Sequence, residues 1–387
     1  MLLILSVFFY IVVGLLLYSL GSREWVLTSQ RYLRTGKYSK KWTSNTIIIL
    51  TVLIGISALR YRVGVDCESY VDMLKQGPNH FQYDRVESLF RWFINFLRAT
   101  VPSRYLYLGI LAALEFIPFY YAFRTRKYLY PYFGLLFMMG PFYLIFQNGI
   151  RQAIAACFFV LASVLIVDGQ KKQKLIAGIL FLIAAQIHTS AYALLVFLVL
   201  PVWDVFKSRY LCISLVVFCA IVGQAGGIIS ENLGFLANVE HDFFYGNYNV
   251  DLILASDSSM GFGPRRLIIL SLSLLVIWFS SQMKEFYSDK FFVFSYNLFF
   301  LHVCLCENLL SNVSLMFRRP FYYTYPFEMI SFAYLLYFLK KGYKGKNKKL
   351  FFIVTICMAC MYIVIQCVAD AGVNDETSLF KFYFLHQ

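Results

Sequence analysis

The sequence predicts an all-α, polytopic transmembrane helix bundle of about ten to twelve helices. Three observations predict it. Of 387 residues, 60% are hydrophobic and 14% charged, a balance outside that of soluble globular domains. Long apolar stretches recur along the chain. Basic clusters occupy one set of the gaps between them. With their flanks, the stretches cross about 30 Å of hydrocarbon at about 1.5 Å per residue. Backbone polar groups in lipid must bond within their own segment, so the spans are helices, whereas a barrel would show short alternating strands.

The first span covers about residues 1–18. Met1–Leu20 has no basic stretch ahead of its apolar run, so it reads as a helix rather than a cleaved signal. Spans near 43–60, 104–123, 131–147 and 150–167 follow. Six of the seven charged residues in Arg23–Lys41 are basic. Arg124, Arg126 and Lys127 form a second basic cluster, Lys171, Lys172 and Lys174 a third, and Lys340 to Lys349 a fourth. The positive-inside rule puts all four on the cytoplasmic side. Residues 61–103 carry balanced charge and read as an external loop with an amphipathic helix. Residues 230–264 read as a second external loop, because Glu231–Met260 holds no lysine or arginine. The segment 175–200 must then cross twice or dip and return, with His188-Thr189-Ser190 as its polar tip. Spans near 265–283, 291–307, 326–340 and 349–368 end the chain and place both termini outside. No Pro/Gly/Ser linker divides it, so residues 1–387 read as one membrane domain.

The net charge of +14 lies mostly in short loops, where it sets topology, which argues against nucleic acid as a partner. The nine cysteines are mostly in apolar runs and read as small buried hydrophobes. No cysteine spacing, H-E-x-x-H or Gly-rich phosphate loop is present, so neither a metal nor a cofactor is expected.

Several polar residues do not suit lipid. Arg60, Arg62 and Asp66 crowd the end of the second span, either as an anion site with its own counter-charge or as a snorkelling helix end. Gly64 lets the chain turn there. Arg151 and Gln152 begin a span on the side that the positive-inside rule disfavours for arginine. A guanidinium fork suits phosphate oxygens. His188 suits proton transfer or a structural role. His302, with no polar cluster near it in sequence, reads as structural. Arg265 and Arg266 open one helix, and Arg318 and Arg319 precede another. The helix count puts all these cations on one side of the membrane, where they require an anionic partner. Pyrophosphate at the headgroup level fits, as would phosphate or a carboxylate. External tyrosines, among them Tyr70, Tyr245, Tyr248, Tyr322 and Tyr323, suit either an interface belt or sugar rings.

Three segments carry a resemblance. Arg60-Tyr61-Arg62-Val63-Gly64-Val65-Asp66 with Tyr70, Arg151-Gln152-Ala153-Ile154-Ala155, and Ala184-Ala185-Gln186-Ile187-His188-Thr189-Ser190-Ala191 resemble motifs of the EpsG family, Wzy-like polysaccharide polymerases of bacterial envelopes. Gln186 and Ile187 stand where an aromatic often precedes the histidine. The resemblance implies a bundle related to GT-C-type membrane glycosyltransferases. It further implies joining of undecaprenyl-pyrophosphate-linked oligosaccharide repeats at the outer face of the cytoplasmic membrane, for exopolysaccharide, capsule or O-antigen. Expected partners are the lipid-linked donor and acceptor, membrane lipids, a flippase and a chain-length regulator. On this reading Arg60, Arg62, Arg151, Arg265, Arg266, Arg318 and Arg319 bind pyrophosphate. Asp66 or His188 serves as base beside Arg151, and Tyr70, Gln152, Tyr322 and Tyr323 contact sugar. A flippase for the same glycan and a membrane acyltransferase remain as alternatives.

Overall fold

The computed structural model describes residues 1–36, 39–101, 103–194, 203–224, 263–313, 318–372 and 376–385. The expected external loop at 230–264, with Tyr245 and Tyr248, lies outside the described residues except for Gly263 and Pro264. So do residues 195–200 of the 175–200 segment.

The described residues form fourteen α-helices and no strand. They are α1 (Leu2–Thr35), α2 (Ser44–Leu59), α3 (Cys67–Gln76), α4 (Ser88–Thr100), α5 (Arg104–Ala122), α6 (Tyr130–Met139), α7 (Phe142–Asn148) and α8 (Ile150–Asp168). Then come α9 (Lys171–Ile187), α10 (Arg209–Gly223), α11 (Pro264–Tyr287), α12 (Lys290–Leu301), α13 (Tyr325–Tyr337) and α14 (Lys348–Asp370). Among the described residues, six helical segments are long and apolar enough to cross a membrane: α1, α5, α8, α11, α14, and α12 with its extension to Leu309. Residues 127–148 make a seventh if their two halves, bent by 67°, count as one span. The bend falls at Gly140-Pro141, where proline cannot continue the ladder. α2 and α10 are apolar but shorter.

α1 runs well past the expected boundary near residue 18. Nothing in Arg23–Arg34 breaks a helix, and the chain stops only at Gly36, whose φ of 65° gives a left-handed cap. At 34 residues it is about 51 Å long, so its charged second half extends beyond one hydrocarbon thickness. α1 packs closely on α6. A Cβ on Gly21 would meet Pro131 N at 2.5 Å, and one on Gly134 would meet Leu17 Cβ at 2.5 Å. Small residues at such crossings let helix backbones approach within lipid.

The segment at 175–200 begins as one helix, α9, of 17 residues and about 26 Å, rather than as half of a short hairpin. It breaks at His188, whose extended backbone (φ −148°, ψ 113°) leads into the 3-10 turn Thr189–Ala193. Residues 61–103 contain α3 and α4. α4 buries Phe90, Ile94 and Leu97 and leaves Trp92 and Phe96 exposed.

Charged side chains gather at the two ends of the bundle. At one end Arg126 sits between Asp168 and Asp289 at 2.6 and 2.7 Å, and buried Lys127 meets buried Glu24 at 2.7 Å. Arg151 and Asp168 lie at opposite ends of α8, about 26 Å apart along its axis. The C-terminal segment reaches the Arg151 end and ties it to α1 and α2. Ser6 Oγ accepts from Phe380 N at 2.9 Å, and Lys381 O accepts from Tyr61 N at 2.9 Å.

Gly64 makes the turn after α2 possible. Its φ is 84°, and a Cβ there would strike the Gln147 carbonyl. Gly64→Ala is expected to destabilise the fold by at least about 1–3 kcal/mol, the range for strained backbone. An unchanged thermal unfolding midpoint in detergent would contradict that account of the turn.

Candidate functional site

A cavity of about 750 Å³ opens at the end opposite Arg126. The start of α3 supplies Asp66, Ser69 and Tyr70. The start of α8 supplies Arg151 and Gln152, and the break after α9 supplies His188. Arg265 and Arg266 come from the start of α11, and Glu307 from the extension of α12. Arg319, Tyr322, Tyr325 and Glu328 come from the segment that opens α13, and Tyr362 from α14. Residues far apart in sequence thus share one wall because the ends of several helices meet there.

Arg151 is held rather than loose. Its Nη1 pairs with Glu87 Oε2, and its Nε donates to Tyr70 OH at 3.3 Å. The other Glu87 oxygen accepts from Thr189 N at 2.8 Å and Thr189 Oγ1 at 3.3 Å. One carboxylate therefore clamps α8 to the loop that carries His188. Burial pushes the Glu87 carboxyl up, but the charge of Arg151, that of His188 when protonated and the Thr189 N–H outweigh it and hold the group below the usual range. Glu87→Gln should keep the shape and lose the charge, at about 1–3 kcal/mol of stability. The decisive readout is hydrogen exchange at the Thr189 amide, which should quicken. Unchanged protection there would argue against the clamp.

His188 Nδ1 lies 2.9 Å from both Ser190 Oγ and Tyr323 OH, and those two oxygens are 2.8 Å apart. Burial pushes the imidazole down to about 3; Glu87 opposes the shift, and Arg151 and Arg319 add to it. His188 is therefore neutral near pH 7 and a weak base. Asp66 differs. It is exposed toward the cavity mouth, yet partial desolvation raises its carboxyl above the ordinary range, against the pull of Arg151 and Arg319. Gln152 Nε2 donates to Arg319 O at 2.9 Å, fixing the turn that presents Arg319.

Four expected site residues do not line the cavity: Arg60, Arg62, Arg318 and Tyr323. Arg60 is 1% exposed and turns inward. Its Nη1 donates to Gln147 Oε1 and to Ser57 O (3.0 Å), and Gln147 Nε2 in turn donates to Glu115 Oε2 at 3.3 Å. Arg62 is exposed, with its guanidinium carbon 5.4 Å from the Tyr61 ring centroid. Arg318 is buried, and Tyr323 serves His188 from behind. Glu68 is held by both Arg104 Nη atoms at 2.6 and 2.7 Å.

The sequence profile of the EpsG family matches residues 44–380, most of the chain. The chain belongs to the EpsG family. That family is one of polysaccharide polymerases. No curated protein and no solved structure matches this EpsG sequence.

Several paired or buried polar residues of this EpsG protein escaped the sequence reading. Glu87 was one acid among several in a charge-balanced region. Glu115, Glu307 and Glu328 had a usable signal, since an acid inside an apolar span is costly and marks a candidate site by default. His302 was expected to lack polar neighbours. Instead it contacts Thr324 at 3.0 Å and lies within 4.0 Å of Glu307 and Glu328.

Proposed function

We propose that this EpsG-family protein polymerises lipid-linked oligosaccharide repeats by glycosyl transfer in the cavity. The observation that carries this reading is the convergence of Arg151, Arg265, Arg266 and Arg319 with Asp66 and His188 on one cavity wall. The substrates would be a growing glycan on undecaprenyl pyrophosphate and one lipid-linked repeat. The acceptor hydroxyl attacks the donor's anomeric carbon. The new glycosidic bond forms as the sugar–pyrophosphate bond breaks, and the hydroxyl proton passes to Asp66. Negative charge grows on the leaving pyrophosphate, where Arg151 and Arg319 stabilise it. The first-turn amides of α8 add positive potential at the same end. The raised carboxyl of Asp66 suits a base better than the depressed imidazole of His188. Neutral His188 instead orients groups by hydrogen bonding. Tyr70, Gln152 and Tyr322 line the path for sugar rings.

The cavity is proposed to face outward from a bacterial cytoplasmic membrane. Lys171, Lys172 and Lys174 of α9, and Lys348 and Lys349 of α14, lie at the helix ends away from His188 and Tyr362, which supports that orientation. A flippase and a chain-length regulator are the proposed protein partners.

Purified protein given only lipid-linked repeat units tests the reaction. A ladder of longer glycans is expected. Leaflet transfer without lengthening would make the protein a flippase, and consumption of an acyl donor would make it an acyltransferase; either result overturns the proposal.

A further inference from the structure

The cavity wall holds a second cluster that the transfer reaction above does not use. A π-helical turn, His302–Leu309, continues α12. Such turns bring residues five apart into register and recur at functional sites. Here the turn gathers His302, Cys306 and Glu307, with one donor atom from each within 4.8 Å of the others. Glu328 faces them from α13, and both glutamates line the cavity.

Hydrogen bonding fixes the tautomer of His302. The Thr324 hydroxyl gives its proton to Phe321 O at 2.5 Å, so its oxygen accepts from His302 Nδ1 at 3.0 Å. His302 Nε2 therefore keeps a lone pair. It faces Glu307 Oε1 at 3.4 Å and Glu328 Oε2 at 4.0 Å. His302 and Glu328 are fully buried, and neither His302 Nε2 nor Glu328 Oε2 has a hydrogen-bond partner. The imidazole lone pair thus faces two carboxylates at the edge of the cavity, an arrangement that a bound cation would satisfy.

We propose that His302 Nε2, Glu307, Glu328 and the Cys306 thiolate bind a divalent cation of the zinc class. One nitrogen, two oxygens and one sulfur make a four-ligand set of the kind zinc takes, with bonds of about 2.0–2.3 Å and ligand spacings of about 3.3–3.8 Å. His302 Nε2 lies 3.4 Å from Glu307 and 4.0 Å from Glu328, and His302, Cys306 and Glu307 offer donors within 4.8 Å of one another, so the set draws together on binding. The thiol gives up its proton on binding. Arg266 and Arg318 lie close enough to act electrostatically on Glu307 and offset part of the anionic charge. Thr324 acts as the outer partner that orients the imidazole. This site stands on its own cluster and not on the polymerase reading.

The test uses the full chain in detergent, stripped with a chelator and equilibrated with Zn²⁺ or Co²⁺. One metal per chain is expected, and the Co²⁺ form should show sulfur-to-cobalt charge-transfer absorption that vanishes in Cys306→Ser and persists in Cys304→Ser. Glu307→Gln should bind at least about tenfold more weakly. Thr324→Val, which leaves all four ligands in place, should lose about 10–100-fold in affinity; it also serves if His302→Gln fails to fold. Wild-type protein that takes up no metal overturns the proposal. So does equal affinity in wild type, Glu307→Gln and Thr324→Val.

Discussion

Arg151→Ala should stop chain growth while leaving the bundle folded. The guanidinium sits where α3, α8 and the His188 loop meet, joined to Tyr70 and Glu87. Those contacts aim it and keep it from collapsing into another rotamer. Losing one positioned donor to a developing oxyanion typically slows a reaction about 10²–10³-fold, or about 2.7–4 kcal/mol of barrier. Arg151 carries a full charge, so the loss should fall at the upper end of that range. Arg151→Lys should recover only part of the rate, because an ammonium lacks the planar fork. The measurement is glycan ladder formation from lipid-linked repeats, with size-exclusion behaviour as the folding control. A near-normal ladder from a well-folded Arg151→Ala protein would remove Arg151 from the transfer step.

Asp66→Asn is the second large effect. A positioned base contributes about 10²–10⁴-fold, and asparagine keeps the shape without accepting the proton. The pH profile gives the sharper test. A base must be deprotonated to act, so the rate should fall as pH drops through the pKa of Asp66. That pKa is raised by desolvation, so the acid limb should lie above the ordinary aspartate range. His188 should add no limb near neutrality, because its imidazole is pushed down to about 3. An acid limb that survives in residual Asp66→Asn activity, but disappears in His188→Gln, would reverse the two roles.

Much of the bundle was legible because hydropathy and charge act locally along a helix. Ile150–Asp168, Pro264–Tyr287 and Lys348–Asp370 all fall within a few residues of the runs that announced them. The break at His188-Thr189-Ser190 was also legible, since three polar residues interrupt an apolar stretch. What failed was direction. Arg60 had as strong a claim as Arg151 on sequence grounds, yet Gln147 and the Ser57 carbonyl draw it inward. No local pattern encodes a partner 87 residues away. Arg318 and Arg319 are adjacent, and the turn that Gln152 pins directs only Arg319 to the cavity. Glu87 shows the same limit: its meaning comes from Arg151 and Thr189, both far along the chain. The extent of α1 was missed for a different reason. Hydropathy marks where a span leaves lipid, while helix termination depends on a breaker, and none appears before Gly36.

The most direct test is an experimental structure of the protein with a lipid pyrophosphate bound. Phosphate density within hydrogen-bonding distance of the Arg151 and Arg319 guanidiniums, with Asp66 facing the sugar end, is the predicted result. Density lodged at the Arg126 end of the bundle, or a cavity that stays free of phosphate at saturating ligand, would contradict it.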